Sequence, residues 1–199
     1  MRNLLQIVTL LLLTLPFVGL SPHGEPTTTN IASTARKPDK REDKEFIPWL
    51  HERMLEWEDF QSAPNRKSDA VASTSTSLGL AYQLKNRQLS FSITCAFSKT
   101  KSWGTLKTDY ILAHEQGHFD ITEIYARKLY QALSLYKFNP KTYGQDINRI
   151  YQKIVKEKEN LQNLYDGQSD HSRNKRVQAN WAEIIDTLLV ETEPFANYP

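Results

Sequence analysis

The feature that most constrains the fold is a change of hydrophobic period near Lys107. Before it, two stretches alternate. "STSTSLGLAYQL" places Leu78, Leu80 and Tyr82 two apart, and "QLSFSITCAFS" does the same with Leu89, Phe91, Ile93, Cys95 and Phe97. A period of two is that of a strand with one buried face, and the intervening Lys85-Asn86-Arg87 is short enough for a hairpin turn. After Thr108 the spacing becomes threes and fours: Ile111, His114, His118, Ile121, Tyr125, Leu129, Tyr136. That pattern predicts one long amphipathic helix, capped by Thr108 with Asp109 in its first turn, and free of proline until Pro140.

A second helix is expected from about Pro140 to Leu164, with Tyr143, Ile147, Ile150, Ile154, Leu161 and Leu164 inward and Glu157 filling one slot of that face. "YDGQSDHSRNKR" then reads as a polar loop carrying His171, and "VQANWAEIIDTLLVE" as a third helix. The expected fold class is α+β: a small antiparallel sheet packed on the long helix, with two further helices completing the core. Ahead of the hairpin, "FIPWLHERMLEWEDF" reads as an arm that opens with a short helix and is anchored by Trp57 and Phe60.

The N-terminus has a different character. Residues 1–21 carry Arg2, a Leu/Ile/Val run, Pro16 and then small residues, the order of a secretory signal peptide rather than an anchor. No cysteine lies near its end to accept a lipid. Residues 22–45 are rich in Pro, Thr, Ser and charge, without helical or strand period, and read as a linker that includes His23. The ordered domain is therefore expected over 46–199, secreted or periplasmic, with no stable membrane span once the signal is removed. The lone cysteine, Cys95, rules out an internal disulfide and sits on an apolar strand face, as a buried small hydrophobe does. A net charge of +2 offers no electrostatic case for a nucleic-acid partner.

The chemistry concentrates in "HEQGH", residues 114–118. The chain has five histidines, and two of them stand one helical turn apart on the same stripe, so both imidazoles can reach one ion. Zinc takes neutral His nitrogens in tetrahedral geometry. Glu115 is rotated about 100° from His114, which suits a general base acting on a water at the metal better than a third ligand. Asp120 and Glu123 point away from the histidines by the same geometry. The third ligand is open between two residues: His171 in the polar loop, favoured because imidazole is the commonest ligand for such a metal, and the helix-borne Glu157, the arrangement of gluzincins. No Gly-x-x-His follows the motif, so the metzincin extension is absent.

"LAHEQGHFDI", preceded by "WEDF" and a Ser/Thr-rich β segment and followed by Tyr165-Asp166, Ser169, His171 and Gln178, resembles a bacterial family of uncharacterised domains described as predicted secreted zinc-dependent proteases. The resemblance spans roughly residues 46–185. It implies a zincin-like metallopeptidase acting on a peptide or protein, with zinc on His114, His118 and His171 and Glu115 as catalytic base. This chain departs from the family's late element at Ser169 and Ser172. The resemblance further implies that strand 88–98 pairs with substrate and that Tyr165 or Arg173 stabilises an oxyanion. Two other readings stay open: a non-catalytic envelope-binding module with a closed four-ligand site, and a hydrolase of a non-peptide envelope amide.

Overall fold

The structure, a computed structural model, describes residues 45–199. The expected signal peptide (1–21) and all but the last residue of the expected linker (22–45) lie outside the described residues.

The architecture is α+β. Strand β1 (Phe46–Pro48) is followed by a short 3-10 turn at Trp57–Asp59, β2 (Ala72–Ser73), β3 (Thr76–Lys85), β4 (Gln88–Ser98) and β5 (Trp103–Gly104). Helices α1 (Asp109–Ser134), α2 (Tyr143–Ser169) and α3 (Lys175–Glu191) follow, and a 3-10 turn at Glu193–Phe195 begins the tail. The strands form an antiparallel three-stranded sheet in the order β1-β4-β3 and a separate β2–β5 pair.

The hairpin has the register that the alternation predicts. Leu78 faces Cys95, Leu80 faces Ile93, Tyr82 faces Phe91 and Leu84 faces Leu89, so all the apolar side chains share one face. Asn86 and Arg87 close it as a two-residue turn with both φ positive, 51° and 63°. Such a turn matches the right-handed strand twist. The apolar face packs on α1, whose inward residues Phe119, Ile121, Ile124, Ala126 and Leu129 are almost fully buried. Cys95 is buried and free, as expected.

Residues 46–48 were expected to open a short helix and instead form β1. Ile47 pairs with Phe97, and Trp49 N–H donates to Cys95 O at 3.1 Å. Odd residues of the arm thus face β4, and Pro48, which has no N–H to offer, falls on the outer edge where none is needed. The anchors are as expected. Trp57 packs on Phe60, Phe60 on Phe97 and Phe97 on Phe119, with centroid separations of 4.9, 5.0 and 5.9 Å. Polar contacts from α1 finish the attachment. Gln116 Oε1 accepts from Leu55 N–H at 2.8 Å, and Asp120 Oδ1 accepts from both Trp49 Nε1 and Gln116 Nε2 at 2.8 Å. Asp120 and Glu123 therefore do face away from the histidines. Glu123 holds buried Arg127 at 2.8 Å and accepts from the tail hydroxyl of Tyr198 at 2.8 Å.

The largest departure is the end of α2. The helix does not stop at Leu164 but runs to Ser169, and Asp170 closes it in the left-handed region at φ 51°. The stretch read as a polar loop thus begins inside the helix, and Gly167 within it is an exposed helical glycine where a Cβ would meet nothing within 4 Å. The extra turn carries Tyr165 and Asp166 back against α1.

α1 and α2 approach closely at Gly117. A Cβ on Gly117 would lie 2.7 Å from the Tyr165 hydroxyl and 3.1 Å from two of its ring atoms. Tyr165 is 2% exposed and cannot swing away. For Gly117→Ala the helix-propensity gain of about 1 kcal/mol is opposed by about 1–3 kcal/mol of overpacking. We expect a net loss of up to about 2 kcal/mol, read as a lower midpoint in urea unfolding.

Candidate metal centre

His114 and His118 project from the middle of α1 toward the last turn of α2. His114 is buried and His118 partly so. Their Nε2 atoms are 3.3 Å apart, and Asp166 Oδ1 lies 3.1 Å from the first and 3.0 Å from the second. Among the described residues these three form a group whose ligand atoms all fall within 4.8 Å of one another. Two nitrogens each about 2.0–2.1 Å from a tetrahedral ion stand roughly 3.3 Å apart, so the spacing fits a zinc-sized cation. Burial opposes the charge of Asp166, but hydrogen bonds from His114 and His118 hold its carboxyl well below the usual carboxylate range. Burial likewise opposes a charge on His118, yet Asp166, Glu115 and Gln162 leave its pKa raised. A carboxylate held low and facing two imidazoles is a donor set that suits a cation.

Three residues aim the candidate ligands. Gln162, one turn before Asp166, donates from Nε2 to His118 O at 2.9 Å and to Thr122 Oγ1 at 3.3 Å. Its Oε1 must then be the end that meets His118 Nδ1. An amide oxygen only accepts, so His118 carries a proton on Nδ1 toward Gln162, and Nε2 is the atom turned to Asp166 and the one a metal would take on losing its proton. Tyr165 stacks on His114 at 4.5 Å and meets His118 edge-on at 5.1 Å. Thr122 ties α1 to the sheet through Thr76 at 2.7 Å. Losing a group that orients a ligand typically weakens metal affinity about 10–100-fold. Gln162→Ala is expected to fall in that range in a chelator-competition titration, with the fold unchanged by circular dichroism.

Glu115 is 4% exposed, and its Oε2 has no hydrogen-bond partner. A buried carboxylate oxygen left unpaired is costly and calls for a polar partner in the adjoining space. That space is a groove of about 1010 Å³ that Glu115 lines together with His114, His118, Asp166, His171 and Thr74. A comparable cavity, about 1080 Å³, lies away from His114 and His118, between the arm, β4 and the tail.

The sequence-derived residues fall as follows. His114, Glu115 and His118 come together. His171 was the favoured third ligand; the residue whose ligand atom falls beside the two histidines is Asp166. His171 Nδ1 is 3.7 Å from Asp166 Oδ1, outside the ligand group, and its side chain is 57% exposed. Glu157 is 44% exposed and 3.8 Å from Lys153, on another side of α2, so it joins neither an open nor a closed site. The Tyr165 hydroxyl donates to His114 O at 3.3 Å and is not free for an oxyanion. Arg173 pairs with Asp170 in solvent at 3.4 Å. Strand β4 is interior to its sheet, paired with β3 along its length and with β1 at 96–98, and Ile93 N–H donates to Pro199 O at 2.7 Å. It is not the strand edge at the groove. Beside the groove runs the segment 70–76, which includes β2. Thr105 N–H donates to Val71 O at 2.8 Å, so alternation turns Ser73 toward β5 and leaves Ala72 and Thr74 directed the other way. Both line the groove.

The loop after α2 is strained. Asp170, His171 and Ser172 have φ of 51°, 49° and 71°, and none is glycine. Each such residue costs about 1–3 kcal/mol and persists only where the surroundings over-determine it. Here Asp166 O accepts from His171 N–H at 2.9 Å, Ser172 O from the Tyr110 hydroxyl at 2.6 Å, and Ser169 O from Asn174 N–H at 2.8 Å.

Fold and site together define an α+β protein with an H-E-x-x-H helix whose third candidate ligand is a carboxylate from a neighbouring helix. The chain belongs to a bacterial family of unknown function, DUF922, whose family model matches residues 26–172. No curated protein and no solved structure matches it. Among the described residues no helix is long and apolar enough to cross a membrane.

Proposed function

We propose that the protein is a zinc-dependent hydrolase, a peptidase, exported by its N-terminal signal. His114, His118 and Asp166 hold the metal and Glu115 is the general base. The observation that carries this reading is the meeting of three metal-competent atoms with a buried carboxylate that has an unpartnered oxygen in the same groove. Zinc, when bound, polarises a carbonyl and makes a water acidic near neutral pH.

The chain's own residues do the rest. Glu115 takes a proton from the attacking water, whose oxygen adds to the scissile carbonyl carbon. The proton then goes to the leaving nitrogen, the C–N bond breaks, and one amide plus one water become a carboxylic acid and an amine. Tyr165 and Gln162 keep the ligand imidazoles in place while the charge distribution changes. The outward N–H and C=O groups of Ala72 and Thr74 offer an extended peptide a strand to pair with along the groove. The direct test is hydrolysis of fluorescein-labelled casein by the zinc-loaded protein and by Glu115→Gln. Zinc bound at one per chain with no Glu115-dependent cleavage would sink the peptidase reading.

A further inference from the structure

We propose that His171 is a catalytic residue that meets the substrate rather than the metal: its imidazole donates a hydrogen bond to the carbonyl oxygen as that oxygen gathers negative charge. The proposal rests on the metallohydrolase reading above. Three observations carry it.

The first is position. Asp166 Oδ1 touches both ligand nitrogens, and His171 Nδ1 is 3.7 Å from that same oxygen without joining the ligand group. The imidazole therefore stands immediately outside the metal site and lines the groove that a substrate would occupy. Three ligands already leave a tetrahedral ion one open position, which is what a catalytic site needs. The second is the manner in which it is held. The left-handed run at 170–172 is pinned to α2 through Asp166 and to α1 through Tyr110, and Ser169 and Ser172 are buried, yet the His171 side chain stays exposed. A backbone fixed this firmly beneath an exposed imidazole presents a polar group at a set place, as a charge-stabilising donor requires.

The third is that, among the described residues, the cationic and phenolic groups considered as alternatives are engaged elsewhere or stand further along the groove. Tyr165 is buried and engaged with His114 O. Arg173 is turned to Asp170. Lys158 lines the groove but sits eight residues before Asp166 on α2, about 12 Å along the axis.

The experiment uses the full mature chain, loaded with cobalt as a visible stand-in for zinc, as wild type, His171→Ala and His171→Gln. Metal stoichiometry and the cobalt absorption bands report ligation. Acetohydroxamate, an oxyanion-bearing chelator, is titrated by its effect on those bands. Casein cleavage by the zinc forms is measured in parallel. We expect His171→Ala to keep one metal per chain and an unchanged cobalt spectrum, and to bind acetohydroxamate at least about tenfold more weakly. We expect kcat to fall about 10²–10³-fold with little change in KM, and His171→Gln, whose amide still donates, to recover part of both losses.

A lost metal or a shifted cobalt spectrum in His171→Ala would make His171 a ligand and overturn the proposal. Unchanged acetohydroxamate affinity would overturn it as well. A wild type that takes up no metal defeats the metallohydrolase reading itself, and this proposal with it. A wild type that binds metal and acetohydroxamate but cleaves nothing leaves the hydroxamate comparison to decide about His171 alone.

Discussion

Glu115→Gln is expected to keep its metal and lose its hydrolysis. The substitution is nearly isosteric and replaces a carboxylate that is not a member of the ligand group. Zinc stoichiometry and affinity should therefore match wild type in a chelator-competition assay. The amide cannot accept a proton, so kcat is expected to fall about 10²–10⁴-fold, the usual worth of a positioned general base. Stability should hold or rise, because Glu115 Oε2 is buried without a partner and a neutral amide costs less to bury than a charge. The combination is diagnostic. A structural carboxylate would lower stability on removal and leave any hydrolysis alone. A ligand would take the metal with it.

Much of this arrangement was legible in the sequence, and the reason is periodicity. Alternation at 78–82 and 89–97 carries the hairpin and its register, and the spacing of Ile111, His114, His118 and Ile121 carries a helix with both histidines on its inner stripe. Signals of this kind are repeated several times along each element, so one exception does not erase them. What was not legible depends on single residues. The arm was expected to begin as a helix because Trp49 and Pro48 carry no alternation, and β1 is only three residues long, too short to show a period. β2 and β5 are two residues each and gave no signal at all. They exist because the segments flanking the β3–β4 hairpin are brought together when it closes.

The third candidate ligand was missed for a related reason. Gly167 and the polar residues around it looked like the start of a loop, so Asp166 was read outside the helix. On the continued helix it falls four residues after Gln162, and both side chains then face α1. Extending the apolar stripe by one turn, through Tyr165, would have been the available clue. His171 drew attention as a histidine, but it lies one residue past the left-handed C-cap, where the chain has already turned toward the mouth of the groove.

Asp166→Ala is expected to abolish tight zinc binding, while Glu157→Ala retains it. The comparison separates two carboxylates of one helix that composition alone cannot rank. Asp166 supplies the only anionic donor of the ligand group, and removing it leaves two neutral imidazoles with no fixed charge between them. Removal of a group that merely orients a ligand costs about 10–100-fold in metal affinity. Loss of the ligand itself should exceed that range. Glu157 sits exposed beside Lys153, and an exposed pair of this kind contributes little to anything. Thermal unfolding gives the same contrast through linkage. Zinc at about 1,000 times its dissociation constant adds about 4 kcal/mol to a native state that binds it and nothing to one that does not. The melting temperature of wild type and Glu157→Ala should rise on adding zinc, and that of Asp166→Ala should stay where it is. A zinc-dependent rise in Asp166→Ala equal to that of wild type would remove Asp166 from the centre and return the third position to His171.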